Sequence, residues 1–266
     1  MKKLMFAAAA IAAGVAVADV TSANVVGYAN IAPKTIGQYS GGGSSFLSVG
    51  GNGYCLKDFK IVGAGGDYGE EDFISFVQTG IAKLDDARAY YWDNDYDNWA
   101  YLNGVGGHEA YEEVSPEELA QPIPAGTGFL CNFSTEGAKI AYSGEVNGGI
   151  EGKIVCGRAG LCTYVVNPNP YEISLADMKI INAGGDYGEN DYITFMQTGI
   201  AKVDDARAYY WDNDYDNWAY LNGVGGHEAY EEVENPSEIK LKAGEAVLFN
   251  SSTEEARVVV DAPVLK

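Results

Sequence analysis

Positive charge is scarce in this sequence. Against 38 Asp and Glu it carries 17 Lys and Arg, a formal charge of −21. Nucleic-acid binding depends on Lys and Arg neutralising phosphates, so this balance argues against nucleic acid and against anionic membrane surfaces. It suits divalent cations, or plain solubility in a salty medium. Histidine is rarer still. The two present, His108 and His227, each sit in a G-G-H-E-A-Y-E-E string. One histidine per string, with no Ser or Cys nucleophile motif, is a poor basis for a catalytic centre. Carboxylates abound, so a glycosidase-type pair stays available on composition. Two small repeated modules without long loops offer no cleft for it, however. The glycine-rich stretch at 41–45 lacks the lysine and following helix of a phosphate loop.

Long apolar runs are also missing beyond the N-terminus. There, Lys2 and Lys3 precede an apolar stretch from Leu4 to Val15 and a small-residue site, Ala16-Val17-Ala18. That order reads as a cleaved export signal over residues 1–18, bacterial in style, and the run is short for a bilayer span. The expected mature chain starts near Asp19, has no transmembrane span and works in the periplasm, at the cell surface or outside the cell.

Cysteines number four, none in C-x-x-C spacing, which removes the usual zinc signature. In an exported chain they suggest two disulfides, with three possible pairings. Cys156 and Cys162 bracket a turn-like G-R-A-G-L and would face each other across a hairpin, leaving Cys55 for Cys131. Neither Cys55 nor Cys131 recurs in the second half, so these are local staples rather than a shared metal site.

What the sequence has is a duplication. Residues 79–114 and 198–233 are the same string but for Leu84 against Val203, and they hold all four tryptophans and both histidines. The likeness continues upstream, 58–78 against 177–197, and downstream, 125–138 against 243–256. Repeats at this spacing mean one structural unit made twice. The expected modules are 19–146 and 147–266, each of ordinary single-core size.

The periodicity within each module is that of strands. D-F-I-S-F-V-Q, A-R-A-Y-Y-W-D, N-W-A-Y-L-N, G-F-L-C-N-F and A-K-I-A-Y-S are short, aromatic and β-branched, and Gly, Asn, Asp or Pro separate them. Only S-P-E-E-L-A at 115–120 reads as a helical turn, with Ser115 capping and Pro116 first. The expected class is all-β: two tandem repeated sandwich or barrel-like modules.

Each identical block reads as a hairpin turning at N-D-Y-D. Period-two alternation puts Tyr90 and Trp92 on one face and Tyr91 on the other, with Trp99 and Tyr101 sharing a face on the return strand. Tyr90, Trp92, Trp99 and Tyr101, repeated as Tyr209, Trp211, Trp218 and Tyr220, form an expected aromatic platform for sugar rings or protein surfaces. The competing reading makes one face core, with Trp92 and Trp99 buried.

Asp93, Asp95 and Asp97 alternate through the turn, as do Asp212, Asp214 and Asp216. Carboxylates at positions 1, 3 and 5 of a tight loop can converge on calcium, as an EF-hand loop begins. Asn98 stands where that loop needs glycine, and Gly104 where it needs a bidentate glutamate, so a cage would need Glu109, Glu112 or Glu113. Asp and Asn are favoured in solvated turns in any case. Asp67, Glu70 and Asp72 of G-G-D-Y-G-E-E-D, repeated from Gly184, form a second acidic loop that reads more simply as a turn.

The motifs S-A-N-V-V-G-Y (22–28), L-x-D-x-K-I (56–61), Y-Y-W-D (90–93) followed by Trp99, P-A-G-T-G-F (124–129) and S-G-E-V (143–146) together resemble a family of exported bacterial surface proteins. Its members carry tandem β modules with a Y-x-W-D…W…P-G-x-G-F-W pattern. Here Leu130 stands where the family often has Trp, and the second copy reads A-G-E-A-V. The resemblance implies surface placement and tandem modules, and no catalytic residues.

The expected function is that of a non-enzymatic surface or extracellular-matrix protein, structural or adhesive, with two equivalent binding faces and calcium-stabilised turns. Its partners are itself, other cell-surface components or glycans. The alternative is a carbohydrate-binding protein using the hairpin aromatics.

Overall fold

The computed structural model describes residues 26–31, 39–44, 46–47, 53–76, 88–103, 110–146, 153–156, 162–169, 171–195, 207–222 and 229–261. Residues 1–18, the expected export signal, and both histidines lie outside them. Among the described residues strands are the main regular structure, helix is confined to turns of three or four residues, and no helix is long and apolar enough to cross a membrane.

Each half builds one six-stranded antiparallel sheet in the same order. In the first it runs Tyr39–Gly42, Phe129–Phe133, Asp72–Ser75, Ala89–Asp93, Asn98–Asn103, Ala110–Glu113. In the second it runs Cys162–Val166, Ala246–Asn250, Tyr192–Thr194, Ala208–Asp212, Asn217–Asn222, Ala229–Glu232. A smaller sheet faces it. In module one Lys139–Val146 pairs with Val26–Ile31, Phe46–Leu47 and Phe59–Val62. In module two Arg257–Asp261 pairs with Lys153–Cys156 and Met178–Ile181.

Alternation along these strands decides the layering. Phe59–Val62 and Phe129–Phe133 turn every second residue inward, so Phe59, Ile61, Phe129 and Phe133 join Ile74, Tyr90, Trp99 and Ile140 in one core between two sheets. Module two repeats it with Ile180, Ile193, Tyr209, Trp218, Val247, Phe249 and Val258. The modules are β-sandwiches. The capped turn forms as Pro116–Leu119, with Ser115 Oγ accepting from Glu118 N at 3.2 Å.

The expected pairing of Cys55 with Cys131 is corrected. Cys55 and Cys131 are unbridged, buried thiols. Cys131 is on the second strand of the six-stranded sheet, between Ser40 and Ile74, while Cys55 follows Gly53–Tyr54 and its thiol donates to Ala120 O at 3.5 Å. Cys156 and Cys162 do not end one hairpin, because their strands pair with Arg257–Asp261 and Ala246–Asn250 in different sheets. Their side chains lie outside the described residues.

The two sandwiches meet along Tyr39–Gly42 and Cys162–Val166. Gly43 N donates to Gly244 O at 3.1 Å, Val166 N to Gly126 O at 2.9 Å and Gly128 N to Tyr164 O at 2.8 Å. A third apolar cluster fills the seam, with Tyr164, Val166 and Ala246 buried against Leu130 and Leu248.

Candidate functional site

The hairpin forms in the register that the alternation predicts. Tyr90 faces Tyr101, Trp92 faces Trp99 and Asp93 faces Asn98; module two repeats this at Tyr209–Tyr220, Trp211–Trp218 and Asp212–Asn217. Cross-strand partners share a face, so all four aromatics of each copy lie on one side of the sheet. That side faces the core.

The platform is therefore corrected. Trp99 and Trp218 are 1% and 2% exposed, and Tyr90 and Tyr209 are buried as well. The indole of Trp99 donates to Leu56 O at 2.9 Å and Phe59 O at 3.0 Å, and that of Trp218 to Met178 O at 3.0 Å. These rings pin the smaller sheet to the larger one. Trp92 and Trp211 reach the sandwich edge half-buried, each edge-on to its partner indole at 5.8 and 5.6 Å. Lys60 lies 5.3 Å above the Trp92 ring and Lys179 4.5 Å above Trp211, so a cation already occupies each indole face.

Tyr101 and Tyr220 are covered in the same manner, with Arg88 at 4.2 Å and Arg207 at 4.4 Å from the rings. Their hydroxyls bond Glu112 and Glu231 across the strand pair, and those bonds raise both phenol pKa values. Glu112 thus serves a tyrosine.

The turn aspartates divide their duties. Asp93 is buried, and its Oδ1 accepts from Asp95 N at 2.9 Å and Tyr96 N at 3.0 Å. Asp212 does the same for Asp214 N at 2.9 Å and Tyr215 N at 3.1 Å. This is the side-chain turn for which Asp and Asn are selected. The left-handed position falls on Asp97 (φ 51°) and Asp216 (φ 54°), one residue before the Asn98 that the EF-hand comparison singled out.

Asp97 lies 3.9 Å from Lys60 Nζ, and Asp216 pairs with Lys179 at 2.7 Å. The Lys179 hydrogen bond and charge hold the Asp216 carboxyl below its usual value. Asp95 and Asp214 are exposed. The three carboxylates are thus spent separately, on backbone, on lysine and on water. Among the described residues no group of three or more His, Cys, Asp or Glu is placed to hold a metal. Asp93 Oδ2 and Asn98 Oδ1, with their repeats on Asp212 and Asn217, are buried acceptors without a hydrogen-bond partner.

The second acidic loop is scaffolding. Asp72 accepts from Gly65 N and Ser134 N, both at 2.7 Å, and from Thr135 N at 3.0 Å; Asp191 holds Gly184, Ser252 and Thr253 alike. Burial opposes ionisation of Asp191. The hydrogen bonds from Gly184, Thr253 and Ser251 outweigh it and keep the carboxyl below its usual value. Glu70 and Glu189 accept from the backbone of their own loops.

These two loops are clamped together. Asn94 N donates to Tyr68 O at 2.9 Å and its side chain to Ala64 O at 3.2 Å, repeated by Asn213 with Tyr187 and Ala183. Gly69 (φ +103°) passes so close that a Cβ there would sit 2.3 Å from Trp92 O, and Gly188 repeats this against Trp211. The clamp leaves two tyrosines outward on adjoining loops of each module. Tyr68 and Tyr96 are 48% and 70% exposed, and Tyr187 and Tyr215 are 47% and 70%. The sequence reading passed over these four. Their signal was there: a large aromatic between two Asp residues, or between Asp and Gly, at a turn tip has no strand to bury it.

Two concavities lie among the described residues. A groove of about 440 Å³ beside Trp92 is lined by Asn30, Lys57, Lys60, Tyr142 and Ser143. A cavity of about 410 Å³ in module two is lined by Arg207, Tyr209, Tyr220, Glu231 and Glu238. No protein-family model matches the chain, and no match is found among curated proteins or solved structures.

Proposed function

We propose that this chain is an exported, non-enzymatic surface or matrix protein that engages its partners through two equivalent loop faces. One observation carries the reading: the same pair of outward tyrosines, ringed by carboxylates, is clamped in the same way in both modules. An exposed aromatic with a polar tip suits protein and glycan contact alike. A rigid support lowers the ordering cost of such a contact. The partners this suits are other copies of the chain or other components of the cell surface. Duplication then raises avidity, by about 10²–10⁴ when both faces engage.

The test replaces Tyr68 and Tyr96 by Ser in one chain, Tyr187 and Tyr215 in a second, and all four in a third. Capture on a surface coated with the parent protein is then measured. Loss of one pair should leave weak, fast-dissociating binding, and loss of both should abolish it. Undiminished capture by the four-fold variant would remove the tips from the function.

A glycan reading is favoured by one feature, the groove beside Trp92, where an aromatic flank meets several polar groups. Trp92→Ala should abolish glycan-array binding there while the tip variants leave it unchanged.

A further inference from the structure

The seam between the modules pairs equivalent residues with one another. Leu130 and Leu248 hold the same place in the repeat and lie opposite Gly41 and Tyr164 in their sheets. Gly41-Gly42-Gly43 is therefore the counterpart of Tyr164-Val165-Val166. The contacts exchange under that correspondence. Gly42 bridges Glu245 while Val165 bridges Thr127, and the bonds from Gly43 to Gly244 and from Val166 to Gly126 form the matching pair. The relation is that of an isologous two-fold interface, made within one chain.

Side-chain size breaks the symmetry. A Cβ on Gly41 would lie 2.9 Å from Ala246 O and 3.0 Å from Tyr164 Cδ1, and one on Gly128 2.8 Å from Gly42 O and 3.0 Å from Tyr164 Cβ. One on Gly43 would lie 2.9 Å from Val166 Cβ, with no closer neighbour than that side chain. Gly41, Gly43 and Gly128 do not have positive φ, so they are needed for space and not for backbone freedom. Two modules of the first kind would leave a gap on the axis. Two of the second kind would drive Tyr164 into its own copy, and overpacking is destabilising.

We propose that this face is a coded pairing surface, admitting a module of the opposite size and rejecting its own kind, and that a second copy of this chain is the partner it fits when the modules of one chain part. Exchange of identical elements between copies is a low-cost route to assembly. Copies joined through this face must alternate small with large, closing as reciprocal dimers or extending head to tail. The inference does not use the tyrosine tips, so the two readings fail separately.

The test uses three full chains. Gly41→Tyr with Gly43→Val makes both modules large, and Tyr164→Gly with Val166→Gly makes both small. Light scattering should find each a monomer alone, with its modules parted in small-angle scattering. Mixing the two should double the mass, because each large module then meets a small one in the other chain. The chain carrying Gly43→Val with Val166→Gly should return to a compact monomer, its size code inverted at that pair, because the close contacts of Gly43 are all with the Val166 side chain. Near-UV circular dichroism of the buried tryptophans checks that both cores are intact. If the tyrosine variant misfolds, Gly43→Val and Val166→Gly alone give the same three-way comparison. No mass increase on mixing, or a compact monomer from either double variant alone, would overturn the proposal.

Discussion

Glu118 and Glu238 each stand two residues after a proline, Pro116 and Pro236, on the same turn of the two modules, yet only Glu118 is buried. Its Oε1 accepts from the Tyr90 hydroxyl at 2.6 Å and from Arg88 at 2.9 Å. Burial, and then this bond, push the Tyr90 phenol far above its usual value. Glu238 is exposed at the rim of the cavity lined by Arg207 and Tyr209. Identical strands have thus acquired a closed polar cluster in one module and an open pocket in the other.

Glu118→Ala should lower the stability of module one by about 2–3 kcal/mol, since it removes charge-assisted bonds from a buried position. Glu238→Ala should stay within about 0.5 kcal/mol, as for most surface changes. Urea unfolding of both variants makes the comparison, and equal losses would contradict the burial difference.

Asp191 should set part of the acid limit of module two. Its folded carboxyl lies below the usual value, so the stability it contributes is complete above the unfolded pKa of about 3.9. That contribution is lost as pH falls through the lowered folded value. Melting temperatures between pH 2 and 7 should show this slope in the parent and a flatter one in Asp191→Asn. An unchanged slope would show that the carboxylate is not the group responsible.

Trp99→Ala and Trp218→Ala should each cost about 3–5 kcal/mol, as expected for emptying a core site of this size. Trp92→Ala and Trp211→Ala forfeit an exposed cation–π contact worth about 0.5–1 kcal/mol, along with some packing, and should be clearly milder. The reverse order in denaturant midpoints would return Trp99 to the surface.

Calcium has two buried oxygens without other duties in each turn, Asp93 Oδ2 and Asn98 Oδ1 in the first, against the roughly six to eight it takes. Titration into chelator-treated protein should therefore show weak binding, in the range of about 10⁻⁴–10⁻³ M. Two equivalent micromolar sites with a raised melting temperature would restore Asp93, Asp95 and Asp97 to a metal role.

The amino-acid sequence alone determined what depends on neighbours along the chain. The duplicated string dictates two modules, the two-residue period dictates strands, and N-D-Y-D between aromatic runs dictates the hairpin and its Trp92–Trp99 register. Ser115 before Pro116 dictates the capped turn. These follow from backbone sterics and local hydrogen bonding, which a few residues settle among themselves. Tertiary structure decided the rest. Alternation shows that Trp92 and Trp99 share a face, but the smaller sheet, arriving from residues 59–62 and 139–146, makes it the core face. Three evenly spaced aspartates read alike until Lys60, brought in from a strand more than thirty positions away, is seen beside Asp97. Gly41 and Tyr164 look unrelated in the chain. They become counterparts, and neighbours, only when two folded sandwiches meet, because that packing joins surfaces which no local pattern links.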